Sequence, residues 1–136
     1  MYITKTTLRV RYAETDQMGV VYYGNYAQYF EVGRTDGIRD LGYTYKQMET
    51  DGIIMPVTEM HIKYIKPAKY DDVLTIHTQI DEMPIAHKIN FAQTIYNEYN
   101  DVLCKAEIIL CFLLLSNMRK TVIPESLKAK LLPYYT

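Results

Sequence analysis

The chain has no tryptophan, only two cysteines, and charges that almost cancel: 15 Lys and Arg against 16 Asp and Glu in 136 residues. Near-zero charge excludes a general nucleic-acid binder, which needs an excess of cations to neutralise phosphates. Long apolar runs are missing too. The longest, Ile108 to Leu115, falls far short of the roughly 20 residues a membrane-spanning helix requires, so no membrane insertion is expected. Met1 to Arg11, MYITKTTLRVR, has neither the apolar stretch nor the small-residue cleavage site of a secretory signal. Cys104 and Cys111 fall in one predicted strand, on opposite faces and about 20 Å apart at roughly 3.3 Å per residue. A disulfide needs Cα atoms within about 7 Å. Reduced thiols without an export signal predict the cytoplasm.

Several chemistries lack their residues. His61, His77 and His87 show no close metal-ligand spacing, so no metal is expected. No glycine loop is built to cradle phosphates, and neither Ser116 nor Ser126 sits in a nucleophile elbow. What the chain has in plenty is tyrosine, 14 residues beside 3 Phe. An apolar ring with a polar tip suits pockets, edges and interfaces. With 49% apolar and 23% charged residues, the composition is that of a globular protein, and the length fits one domain over residues 1–136.

Periodicity supplies the elements. Leu8, Val10 and Tyr12 alternate with Arg9 and Arg11 as in a half-buried strand. Asn25 opens a predicted helix reaching Leu41, with Gln28 placed for a capping box and Gly42 placed to end it. Its apolar stripe is Tyr26, Tyr29, Phe30, Gly33, Gly37 and Leu41. Each of these two glycines costs a helix roughly 1 kcal/mol relative to Ala. Close approach of a sheet would account for both, and simple flexibility is the alternative. A short helical turn, Thr44 to Thr50, precedes four strands centred on Met60–Tyr64, Leu74–Ile80, Ile89–Ile95 and Cys104–Leu114. If the second and third strands of the chain form a hairpin about Lys69, His61 lies opposite His77. Both are expected on a polar sheet face at a subunit contact. Pro124 starts a terminal helix through Leu132. This order predicts an α+β fold, an antiparallel sheet of about five strands wrapped round one long helix.

Arg11 to Arg34 reads RYAETDQMGVVYYGNYAQYFEVGR. Asp16 lies in irregular chain just before the helix, whose N-terminal amides could hold an oxyanion or a polarised carbonyl. A carboxylate there could serve as nucleophile or general base. Thr-Asp-Gln-Met-Gly is equally a turn whose Asp bonds its own backbone.

The segment resembles the signature of hotdog-fold acyl-CoA thioesterases of the 4-hydroxybenzoyl-CoA thioesterase family, including the Tol-Pal-associated branch. Tyr12, Thr15-Asp16, Gly19-Val20-Val21-Tyr22, Asn25-Tyr26, Phe30-Glu31, Arg34, Tyr64-Ile65-Lys66-Pro67-Ala68 and Asp71-Asp72 carry the likeness. The resemblance implies a hotdog domain that hydrolyses an acyl-CoA to free acid and coenzyme A. It implies Asp16 as the catalytic carboxylate and the backbone N–H at Tyr23 as the group polarising the carbonyl. Many Tol-Pal-associated members carry His where this chain has Tyr23, which removes an imidazole but keeps the backbone donor. The resemblance further implies a homodimer with active sites at the interface, often paired again into a homotetramer. No cofactor is implied, because coenzyme A belongs to the substrate.

Other groups have competing readings. Glu31 is a second candidate carboxylate, but its i,i+3 spacing to Arg34 suits a structural pair. Glu59, beside Lys63, reads as a solvated or interface charge. For the coenzyme A phosphates, Lys63, Lys66 and Lys69 cluster, Lys88 begins a strand, and Arg119 and Lys120 follow the last one; Lys66 and Lys88 are the chosen candidates. The alternative from another class is a non-catalytic hotdog module that binds an acyl thioester or a protein.

Overall fold

One long helix and a five-stranded antiparallel sheet share an apolar seam that runs most of the length of both. The computed structural model describes residues 1–135. The sheet comprises β1 (Tyr2–Arg9), β3 (Val57–Tyr64), β4 (Val73–Ile80), β5 (Lys88–Tyr96) and β6 (Val102–Cys111), in the spatial order β1-β4-β5-β6-β3. The helix is α1 (Tyr26–Asp40); α2 (Tyr45–Thr50) follows it and α3 (Glu125–Leu131) closes the chain. A separate pair, β2 (Ile53–Ile54) with β7 (Leu113–Leu114), lies outside the main sheet. This is the hotdog architecture, α+β with the sheet wrapped round the helix.

Alternation decides the faces. In β4, Leu74, Ile76, Thr78 and Ile80 are buried and the residues between them half-buried, so one face meets the helix and the other is polar. Gly33 and Gly37 let the two layers close. A Cβ on Gly33 would lie 2.7 Å from Ile76 Cγ2 and 2.8 Å from Thr78 Oγ1, and one on Gly37 would lie 2.5 Å from Thr4 Cγ2. Those separations are shorter than any carbon contact a core tolerates. Of the two readings of the glycines, close approach is the one observed.

Several local expectations are corrected. The first strand covers Tyr2–Arg9 rather than extending to Tyr12; Val10 is buried beyond it, and Tyr12 sits in a 3₁₀ turn, 78% exposed. Asn25 makes no side-chain cap on α1, because its Nδ2 donates instead to the Glu14 carbonyl at 2.8 Å. Gly42 does end the helix, at φ +89°, where a side chain would be strained. The last predicted strand is two, since Phe112 leaves the ladder to bond the His87 carbonyl and β7 turns to β2. Leu41 is half-buried, and Arg34 and Ile38 join the buried face instead. Arg34 does not pair with Glu31: its Nη1 donates to Gln93 Oε1 at 3.1 Å, 4% exposed. Both cysteines are free and buried, and burial pushes the Cys104 thiol up to about 12.

The largest correction concerns connectivity. Strands β3 and β4 are not a hairpin; β6 and β5 stand between them. The intervening chain crosses beneath the start of α1, where Ala68 N–H donates to Tyr26 Oη at 3.1 Å and Ala68 O accepts from Val21 N–H at 2.8 Å. That crossing fixes the segment bearing Asp16.

Candidate active site

The loop before α1 is shaped by its own polar groups. Glu14 is the strut: its carboxylate accepts from Arg11 N–H at 2.8 Å, from the Arg11 guanidinium at 3.0 Å and from Tyr29 Oη at 3.0 Å. Its carbonyl accepts from Tyr22 N–H at 2.9 Å as well as from Asn25. Partial burial works against the Glu14 carboxylate, but these donors outweigh it and hold it below the usual carboxylate range. Burial first, and the Glu14 carboxylate second, push the Tyr29 phenol well above its ordinary value, so it stays a donor. Asp16 then closes a tight turn. Asp16 N–H donates to Val20 O at 2.9 Å, and Asp16 Oδ1 accepts from Met18 N–H at 2.9 Å.

That last bond is the turn alternative, and it occupies one carboxylate oxygen only. Asp16 remains half-buried and lines a cleft of about 250 Å³. Val20, Val21 and Ile65 give the cleft apolar sides, and Tyr26 and Tyr64 face each other edge-on at 5.5 Å between ring centroids. Tyr64 Oη donates to the Tyr23 carbonyl at 3.3 Å, tying the edge strand to the helix entrance. Tyr23 lines the same cleft. It begins the 3₁₀ turn Tyr23–Asn25 that leads into α1. Among the described residues, neither the Tyr23 nor the Gly24 N–H has an acceptor, the usual condition of the first donors of a helix. Asp16, with one carboxylate oxygen outside the turn bond, and Tyr23, whose amide has no acceptor among the described residues, thus line one apolar cleft, and these are the component types that acting on a carbonyl group requires.

The candidate cations are dispersed. Lys66 lines the cleft, but its Nζ is paired with Asp101 Oδ2 at 2.7 Å. Lys63 points to the opposite face of the sheet, opposite Lys105, so the sequence cluster is split. Lys88 pairs with Cys111, seven residues along β5 from the Ile95–Cys104 level that adjoins Tyr64, which is about 23 Å away at roughly 3.3 Å per residue. A single chain does not bring Lys88 to Asp16. Glu31 is exposed on α1 and does not line the cleft. Sequence reasoning did not assign Glu14, Tyr26 or Tyr64 to the site; the Arg11–Glu14 spacing was the available signal for the strut.

The model of the thioesterase-like superfamily matches residues 10–131. The chain belongs to this superfamily. The thioesterase is 42% identical over 106 residues to YneP of Bacillus subtilis, covering 78% of this chain and 76% of that protein. It is 31% identical over 123 residues to the acyl-CoA thioester hydrolase YbgC of Escherichia coli, covering 90% and 91%. Among solved structures it superposes on a DHNA-CoA thioesterase from Staphylococcus aureus with a TM-score of 0.85, at 32% identity over 99% of this chain and 85% of that one. The thioesterase hydrolyses acyl-CoA thioesters. No helix among its described residues is long and apolar enough to cross a membrane.

Proposed function

We propose that Asp16 performs the hydrolysis and that the backbone N–H of Tyr23 polarises the thioester carbonyl. The supporting observation is that both line one apolar cleft, with one Asp16 oxygen anchored on Met18 N–H. Anchoring one oxygen orients the carboxylate, leaving Oδ2 to work. In one form Oδ2 attacks the carbonyl carbon, the carbonyl re-forms as the thiolate of coenzyme A departs and takes a proton from solvent, and water opens the resulting anhydride to return the Asp16 carboxylate. In the other, Oδ2 takes a proton from water, the hydroxide adds to the carbonyl, and the same thiolate departs and takes up the proton held on Oδ2. In both, negative charge gathers on the carbonyl oxygen, where an unused amide donor stabilises it.

The working unit in this reading is a homodimer, or a dimer of dimers, acting in the cytoplasm without a cofactor. Strand β3 is an open edge whose exposed Val57 and Tyr64 are 42% and 49% accessible, a surface prone to pair with another strand. Antiparallel pairing of two such edges about Met60 and His61 would bring the Pro56 end of one copy beside the Asp16 cleft of the other. Lys88, at that end of the sheet, would then join Lys66 across the interface to hold the coenzyme A phosphates.

The test is free-thiol release from a panel of acyl-CoAs by the wild type and by Asp16→Asn. Loss of turnover by about 10²–10⁴-fold, with acyl-CoA binding retained, is the expected result. Full turnover in the variant would remove Asp16 from the mechanism. Binding without release by the wild type would favour the non-catalytic module.

A further inference from the structure

The face of the sheet turned away from α1 carries an arrangement that hydrolysis does not use. Strand register sets Lys5, His77, Thr94, Lys105 and Lys63 in one row across all five strands. Lys63 stands directly opposite Lys105, and Lys5 directly opposite His77. Like charges in directly opposed positions destabilise a sheet. Among the described residues, none of the three lysines pairs with a carboxylate. The row is also concave: a groove of about 560 Å³ runs along it, lined by His61, Lys63, His77, Thr94, Tyr96 and Lys105. That volume falls within the range of small-molecule sites, about 300–1,000 Å³. Glu107 is the one carboxylate in its lining, and it lies opposite His61 on the neighbouring row.

The two ends of the groove differ. At one end, the His77 and Tyr96 rings meet at 4.5 Å between centroids, tilted by 47°, and both are half-buried. Burial, with Lys5 adding to it, holds the His77 imidazole below its ordinary value, so it presents a neutral ring. At the other end stand the exposed ammonium groups of Lys105 and Lys63. Three strand spacings separate His77 from Lys63, about 14 Å at roughly 4.8 Å each. Lys5 flanks the ring end from β1 but is not part of the groove's lining; within the lining, rings stand at one end and cations at the other, which matches a ligand with a flat base and a chain of phosphates.

We propose that this groove binds a nucleoside polyphosphate, its base against the His77–Tyr96 pair and its phosphates on Lys105 and Lys63. Thr94, on β5 between the two ends, offers a hydroxyl to the ribose. A second copy of the chain is the weaker occupant. An isologous contact would set this patch against its own copy, with Glu107 as the single carboxylate in the lining to meet Lys63 and Lys105.

Calorimetric titration with ADP, AMP and pyrophosphate, at a fixed ionic strength of about 0.1 M, tests the assignment. ADP should bind saturably and more tightly than either AMP or pyrophosphate. Lys105→Gln should weaken ADP about tenfold, the effect of one charge-assisted contact, and Lys63→Gln with Lys105→Gln should weaken it further. Tyr96→Ala should reduce ADP to the affinity of pyrophosphate. Lys105→Gln should keep wild-type thiol release, because Lys105 lies on the face opposite the Asp16 cleft. Absence of saturable ADP binding overturns the proposal, as does ADP affinity that survives the double variant. Pyrophosphate bound as tightly as ADP overturns the base platform. A lower sedimentation mass in the double variant with unchanged ADP affinity would give the face to a second subunit.

Discussion

The middle of α1 and its entrance treat the same helix in opposite ways. At Gly33 and Gly37 the sheet closes so far that an added Cβ would overlap Ile76, Thr78 or Thr4. At Tyr23 and Gly24 the main-chain donors have no acceptor among the described residues, and Tyr23 lines one cleft with the half-buried Asp16. The first region spends helix propensity, roughly 1 kcal/mol per glycine, to gain contact. The second leaves hydrogen bonds unmade at the place where the proposed mechanism puts the substrate carbonyl. The tight seam is what permits the open end: amide donors aim usefully only if the helix bearing them cannot shift.

The sharpest way to break this comparison is to cross its two readouts. Asp16→Asn should cost about 10²–10⁴-fold in turnover and leave the urea midpoint unchanged, because the amide oxygen can still accept from Met18 N–H. Gly33→Ala should do the reverse. Alanine gains helix propensity, but its methyl meets Ile76 Cγ2 at 2.7 Å and Thr78 Oγ1 at 2.8 Å, and overpacking of this kind costs about 1–3 kcal/mol. The expected result is a lower midpoint in urea with turnover per folded molecule retained. An alanine at position 33 that stabilises the fold would show that the seam is looser than the geometry states.

A smaller effect resolves the seam into its parts. Gly37→Ala meets one atom above all, Thr4 Cγ2 at 2.5 Å. Thr4→Ser deletes that methyl and keeps the hydroxyl that donates to Asp40 Oδ2 at 3.0 Å. The double variant should therefore recover about 1 kcal/mol of the loss caused by Gly37→Ala alone, within the usual range of coupling between touching residues. Strictly additive denaturation free energies would place the conflict elsewhere in the seam.

The sequence disclosed these regions unequally, for physical reasons. Four of the sheet strands were legible because they alternate, β4 over its whole length; the first was read at Leu8–Tyr12 and lies at Tyr2–Arg9. Their neighbours were not legible. Hairpin pairing of β3 with β4 is the default for adjacent strands, but Lys66 to Asp72 is committed to docking under Tyr26 and Val21, which alternation cannot report. The expected Asn25 cap failed for a similar reason, since a distant carbonyl, that of Glu14, competes for the side chain. That Asp16 and Tyr23 line one cleft was readable because they are close in sequence, within one irregular segment before the helix. The separation of Lys88 from Lys66 was not readable, because distance along a sheet depends on strand order.

Glu14 joins the two regions, and its titration measures how strongly. Its carboxylate ties the loop before α1, at Arg11, to Tyr29 on the buried face of the helix. Burial raises its proton affinity, and the donors from Arg11 and Tyr29 lower it by more. A group whose proton affinity is lower folded than unfolded stabilises the fold above its unfolded value, about 4.3 for glutamate. That contribution disappears as the pH falls through the lower folded value. Urea denaturation of the wild type and of Glu14→Gln should therefore differ at pH 7, with the wild type more stable, and the gap should narrow steadily below about pH 4.3. Turnover of Glu14→Gln at pH 7 should fall only a few-fold, since the Glu14 carbonyl still holds Tyr22 and Asn25. A stability gap that stays constant into acid would mean that the carboxylate's charge does not brace the loop against the helix. The open entrance would then owe its shape to the main chain alone.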